Sequence, residues 1–288
     1  MQTFLQQLAN GLVNGSVYAL IAIGVTLVYG LTNLINFAHG QLVTVGAFAA
    51  WSAVSSGIPF FLAVLIAASV GGGASLAMER GGFRFTAANP INGFILSLGL
   101  IFVIEGLMVE RYGDSLHRID VPIDGVLEVG GVQISYQRLV VVAVAAMLTV
   151  ALMLVLRRTR VGRATRAYAE DPQTTALMGV NTKVLIMGVF LVGGALAGAA
   201  GALLLSLFGA TVTLGAGFVV KAFVVSLIGG LGSVEGAALA ALAVGLAETF
   251  GGAYISSRWT DFFGYVLVIL IMLVRPSGLF KGSEGAHV

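Results

Sequence analysis

The chain has no cysteine, so disulfides and thiolate chemistry are excluded. Charge is almost as scarce: only 10% of its 288 residues are Asp, Glu, Lys or Arg. A soluble domain carries roughly a quarter. With 58% hydrophobic residues and a mean hydropathy of +1.00, this chain has too few polar groups to cover a water-facing surface. It lacks the short alternating runs of an outer-membrane barrel, and its apolar runs are far longer than barrel strands. It also lacks the Gly-Lys-Ser/Thr end of a phosphate-binding loop, because none of its three lysines follows a glycine. HExxH and GxSxG are missing too, which leaves no common hydrolase motif. The N-terminal stretch MQTFLQQLANGLVNGSVYAL lacks a basic n-region and a cleavage site, and reads as the start of a retained first span.

What remains is an all-α, polytopic membrane protein in one domain, residues 1–288, with spans of about 20 residues. Apolar segments fall near 9–30, 38–56, 60–79, 92–110, 138–157, 184–206, 217–231, 235–253 and 262–275. That makes about nine transmembrane helices, within a range of eight to ten. The uncertain member is 217–231, which either spans or re-enters. Forty glycines supply small-residue packing, and GLVNG at 11–15 and GALAG at 194–198 fit the small-xxx-small pattern.

Basic residues fix an orientation. Arg80 and Arg84 share one short loop, six bases lie in 157–183, and Arg275 and Lys281 lie at the C-terminus. Placing these inside accounts for ten of the fifteen bases. Nine crossings then put the N-terminus outside. The polar segment 110–138 becomes an external loop, in which VLEVGGVQIS reads as a hairpin around Gly130–Gly131. A faint internal echo links 35–50 with 228–243, each a glycine-containing polar break before a small-residue helix.

The island 157–183, RRTRVGRATRAYAEDPQTTALMGVNTK, is a cytoplasmic loop or a docking surface. Asp171 is suited to N-cap a short helix with Pro172 at its first position, ending near Gly179. At membrane depth lie Asn33, Asn36, His39 and Gln41, which either line a translocation path or cap and satisfy unwound backbone. Lys221 is expected to snorkel to an interface. Glu105 and Glu248 are expected at span ends, in solvent.

The run GRATRAYAEDPQTTALMGVN with the Gly/Ala-rich span after it resembles permeases of the branched-chain amino acid ABC-transporter family. Residues 18–48, 221–248 and RPSGLF at 275–280 resemble that family in order, so the likeness covers nearly the whole chain. It is nearest to the shorter H-type subunit of the leucine/isoleucine/valine system. Related permeases carry urea, amides or aromatic acids. The resemblance implies an ABC importer permease in the inner membrane of a bacterium, not an enzyme, with 157–183 as the coupling segment. Ala169, Glu170, Asp171, Ala176, Leu177 and Gly179 would then touch the ATPase. It implies no cofactor in this chain, with ATP and Mg on partner subunits. The partners would be a second homologous permease, two ABC ATPase subunits and a periplasmic or extracellular substrate-binding protein. The bilayer surrounds it, and no nucleic acid is involved. An ion-coupled secondary transporter is the competing class, and it would need an intramembrane carboxylate.

Overall fold

Few side chains on this chain carry large volume at the places where helices cross, and the fold follows from that. The computed structural model describes residues 2–86, 89–120, 125–129, 131–276 and 278–280. Lys281 and the tail beyond it, and Gly130 of the expected hairpin, lie outside the described residues. Eleven α-helices are described: α1 Gln2–Thr32, α2 His39–Ser55, α3 Phe60–Gly81, α4 Pro90–Tyr112, α5 Tyr136–Arg158, α6 Arg160–Glu170, α7 Pro172–Leu177, α8 Thr182–Phe208, α9 Leu214–Gly229, α10 Val234–Tyr254 and α11 Thr260–Val274. A two-stranded hairpin, β1 Val126–Val129 and β2 Val132–Ser135, sits between α4 and α5. Gln6 holds it to α1 by exchanging two 2.9 Å hydrogen bonds with the backbone of Gln133.

All nine expected apolar segments are helical, but they are not alike. Seven helical segments are long and apolar enough to cross a membrane among the described residues, α11 only together with the helical turn Ser257–Trp259 that precedes it, 18 residues in all. The other two, α2 and α9, have 17 and 16 residues. At 1.5 Å per residue each is about 25 Å long, short of a hydrocarbon core of about 30 Å. A count of nine full crossings is therefore not established. Each short helix follows an irregular stretch, 33–38 before α2 and 209–213 before α9.

The two short helices meet near their N-termini. A Cβ at Gly40 of α2 would strike the carbonyl of Gly215 in α9, and Thr44 Oγ1 accepts a 2.9 Å hydrogen bond from the Gly215 amide. Around this meeting point the packing repeats itself. Helix α3 lies on α8 as α10 lies on α1, and α2 lies on α8 as α9 lies on α1. The series α1–α4 and α8–α11 thus form two halves of opposite direction, an inverted repeat of the kind that builds many transporters. The counterpart of α2 is α9, not the 228–243 stretch suggested by the sequence echo, which covers the end of α9, a turn and the start of α10.

Both small-residue motifs are used. Gly11 and Gly15 flank Gly245 and Leu242 of α10, and Gly194 and Gly198 receive Gly71, Ser75 and Ala67 of α3. Without a hydrophobic driving force between helices in lipid, this close backbone approach supplies the packing energy.

The molecule has two distinct ends. One carries α6 and α7, the turn at 230–233, and the C-terminal segment, where the Leu279 amide donates to Ile228 O at 2.8 Å. The other carries the hairpin and the stretch 113–120, where His117 pairs with Ala210 through 2.9 and 2.7 Å backbone bonds and stacks edge-on against Trp51. The basic island belongs wholly to the first end.

A Gly198→Leu substitution is expected to block α3–α8 closure, since even a Cβ there meets Ala67 O. The cost is about 1–3 kcal/mol or more, read as loss of monodisperse protein in detergent and a lowered melting temperature. Gly73→Ala, with open space around its Cβ, should melt at or slightly above the parent temperature.

Candidate functional site

The island folds as two short helices at the end of α5. Thr159 turns the chain: its Oγ1 accepts from the Gly162 amide at 3.1 Å. Gly162 lies so close to the Leu156 backbone that no side chain fits. Arg166 donates to the Leu156 carbonyl and ties α6 back onto α5. Helix α6 is amphipathic, with Gly162 and Thr165 buried, Ala169 half-buried, and Arg160, Arg163 and Arg166 exposed.

Asp171 then ends α6 and starts α7. Its Oδ1 accepts from the amides of Gln173 and Thr174, both at 3.0 Å, and Pro172 takes the first helical position. One carboxylate oxygen therefore performs the N-cap expected of it. Thr175 is the buried anchor of α7. Gly179 adopts φ +85°, a left-handed conformation that glycine takes at least cost, and turns the chain toward α8.

The side chains around that turn face outward. Glu170, Asp171, Ala176 and Gly179 are exposed, and Leu177 has 86% of its surface free. Met178, at 80%, joins Leu177 as a second apolar tip. Nothing in the local pattern separates Met178 from a core methionine. Behind the tip, a crevice of about 330 Å³ lies between the end of α1, α5, α6 and the start of α10. Ala169 and Glu170 line it, and Arg157 bridges its wall to Glu235 at 2.6 Å.

The second group of predicted residues is dispersed. Asn33 is exposed and has φ +51°, so it closes α1 as an asparagine can. Asn36, His39 and Gln41 are buried at the start of α2. Both side-chain polar atoms of Asn36, His39 Nε2 and Gln41 Oε1 have no protein partner among the described residues. The imidazole packs on the α1 backbone at Gly24. Ser75 Oγ and Glu79 Oε2 on α3 share this condition, which sequence reasoning did not anticipate for either residue. Glu105 is half-buried on α4.

One expectation is overturned: Glu248 is not at a solvated span end, whereas Lys221 reaches out to the exposed Asp261 in the first turn of α11. The Glu248 side chain is only 3% exposed and that of Lys221 14%. Glu248 Oε2 accepts from Tyr18 OH at 2.8 Å and from Lys221 Nζ at 3.0 Å. The same ammonium reaches Tyr18 OH at 3.1 Å and Asp261 Oδ1 at 2.8 Å. Four helices, α1, α9, α10 and α11, thus converge on one ion network. The physical reason is cost: a charge in hydrocarbon turns inward and finds partners. Those partners are distant in sequence, so no local pattern announces them.

Removing one partner leaves the other charge buried and uncompensated. Lys221→Met is expected to destabilise the protein by about 3–5 kcal/mol. The double variant Lys221→Met/Glu248→Leu should recover much of that loss in a thermal-melt double-mutant cycle. Asp171→Ala should cost about 1 kcal/mol through the lost cap of α7.

Comparison with known proteins agrees with this architecture. A family described as the branched-chain amino acid transport system / permease component matches residues 7–272. The high-affinity branched-chain amino acid transport system permease protein BraD of Pseudomonas aeruginosa is 36% identical over 301 residues, covering 98% of this chain and 97% of BraD. LivH of Escherichia coli is 33% identical over 304 residues, covering 98% and 96%. A probable LivH of Methanocaldococcus jannaschii is 26% identical, covering 94% and 91%. Among solved structures, PsaBC from Streptococcus pneumoniae in complex with Fab aligns with a TM-score of 0.51 over 95% of this chain and 92% of that chain. Identity there is 12%, so that likeness speaks to fold alone. With its inverted helical halves, its amphipathic α6 and a match over nearly its full length, the chain belongs to the permease-component family of branched-chain amino acid transport systems.

Proposed function

We propose that this chain is a permease subunit of an ATP-driven importer that moves branched-chain or similar small apolar amino acids across the inner membrane of a bacterium. The observation that carries the reading is the exposed tip Leu177–Met178 on a capped, glycine-terminated helix at the basic end. An apolar tip of this kind, backed by Glu170, suits insertion into a groove on a soluble protein. The arginines around it suit anionic headgroups, each worth about 1 kcal/mol near the surface. That basic end is cytoplasmic by the positive-inside rule.

The chain itself has no phosphate loop, so the motor is a separate pair of ATPase subunits, which hold ATP and Mg. A second permease of the same type completes the membrane unit, and a substrate-binding protein delivers cargo at the hairpin end. Ala169, Glu170, Asp171, Ala176, Leu177 and Gly179 form the coupling surface, with Met178 added. Asn36, His39 and Gln41 remain candidates for the path, as buried polar groups that require partners. Asn33 is better read as the cap of α1.

A second reading has one observation in its favour. The buried Lys221–Glu248 pair is the kind of intramembrane charge that ion-coupled carriers use. The two readings separate in vesicles. On the first, Glu170→Arg and Leu177→Asp lower ATP-dependent leucine uptake at least tenfold, and the ATPase no longer co-purifies in stoichiometric amount. Collapse of the proton gradient with ATP maintained leaves uptake intact. Uptake that follows the gradient and ignores both substitutions would establish the second.

A further inference from the structure

We propose that a cleft at the hairpin end is a subsite for the zwitterionic head of an α-amino acid, its ammonium taken by Glu248 at the floor and its carboxylate by Arg138 at the rim. This rests on the reading above and gives that transport a site within this subunit.

The cleft lies between the outer parts of α1, α5, α8 and α10 and measures about 600 Å³. Small-molecule sites run roughly 300–1,000 Å³. Its walls hold uncharged polar side chains, among them Asn10, Asn14, Gln137 and Thr249, beside the apolar Val13, Leu207 and Phe208. Gln137 donates to the Ser206 carbonyl and joins α5 to α8. Asn14 donates to Thr249 Oγ1 at 3.4 Å and joins α1 to α10. These bonds brace the walls of the cleft.

The charges are arranged in two layers. At the floor, Glu248 lines the cleft; behind it, outside the lining, the Lys221 ammonium faces Glu248 at 3.0 Å and the exposed Asp261 at 2.8 Å. The cluster formally keeps one negative charge in excess. Both hydrogen bonds to Glu248 fall on Oε2; Oε1 accepts none from a described residue and lies beside the backbone of Gly264. Lys221 can hold Asp261 when Glu248 accepts another cation, so an incoming ammonium does not strand a charge. At the rim, Arg138 is exposed and donates to Asn10 Oδ1. The remaining donors of its guanidinium fork suit a carboxylate. A carboxylate at the floor below a guanidinium at the rim matches one class of small solute, an amino-acid zwitterion, and mismatches urea, amides and simple carboxylates. Neither Arg138 nor Glu248 sits on the coupling surface, so this site is separate from the ATPase contact.

The test uses the full-length chain purified from membranes with its co-purifying subunits, without binding protein. Equilibrium binding of radiolabelled leucine is competed with leucinamide, which lacks the carboxylate, and with 4-methylpentanoate, which lacks the ammonium. Saturable leucine binding is expected, with neither analogue competing. Glu248→Gln and Arg138→Gln should each weaken it at least tenfold, and in Arg138→Gln leucinamide should compete as well as leucine does. Arg138 is exposed, so that variant is not expected to misfold. Parent-like leucine binding by Arg138→Gln, equal competition by either analogue in the parent, or no leucine binding at all would overturn the site. Uptake separates the two levels. If vesicles still import leucine on ATP while the binding results are negative, only the subsite falls; if they import none, the transport reading falls with it.

Discussion

Helix α8 is the spine on which the two halves are assembled, and its use depends on missing side chains. In lipid, helices gain nothing from leaving water, so they hold together by contact at short range. Along α8, Gly193 faces Gly24 of α1, Gly194 and Gly198 face α3, and Gly201 faces the Val43 carbonyl of α2. Three helices reach one backbone because four positions carry no Cβ. The same device recurs on α1 against α10 and at the α9–α10 turn, where Gly229 meets Gly236. With the centre closed this way, α4, α5 and α11 are left largely uncovered.

That arrangement divides labour by position. The centre is apolar and tight, the basic end holds a short capped helix, and the hairpin end holds a cleft with polar walls. Between them an ion network, buried at Glu248 and open to the surface at Asp261, fastens α1, α9, α10 and α11. An ion network is a costly fastener in a membrane. It is tolerable here because Lys221 has two carboxylates and a tyrosine hydroxyl within 3.1 Å, so no member is left without a partner.

What could be read from sequence was local. The apolar segments, the hairpin strands and the Asp171–Pro172–Gly179 frame of α7 all depend on neighbours within a few positions, and the structure reproduces them. Asn33, left open between cap and path, resolves to a cap because its φ is positive. What depended on distant partners stayed hidden. Tyr18 and Lys221 are 203 positions apart, and Lys221 and Asp261 are 40 apart, so nothing in a local window links them. The inverted repeat was half visible: the break before α2 was noticed, but glycine abundance drew its counterpart to 228–243 in place of α9. Met178 was invisible because an exposed methionine and a core methionine look alike in a string of letters.

Glu235, gripped by Arg157, and Glu248, gripped by Lys221, stand on the same unbroken helix α10. At 1.5 Å per residue they are about 20 Å apart along its axis. If the basic end is pushed as the proposed coupling requires, one continuous helix joins the arginine turn to the carboxylate.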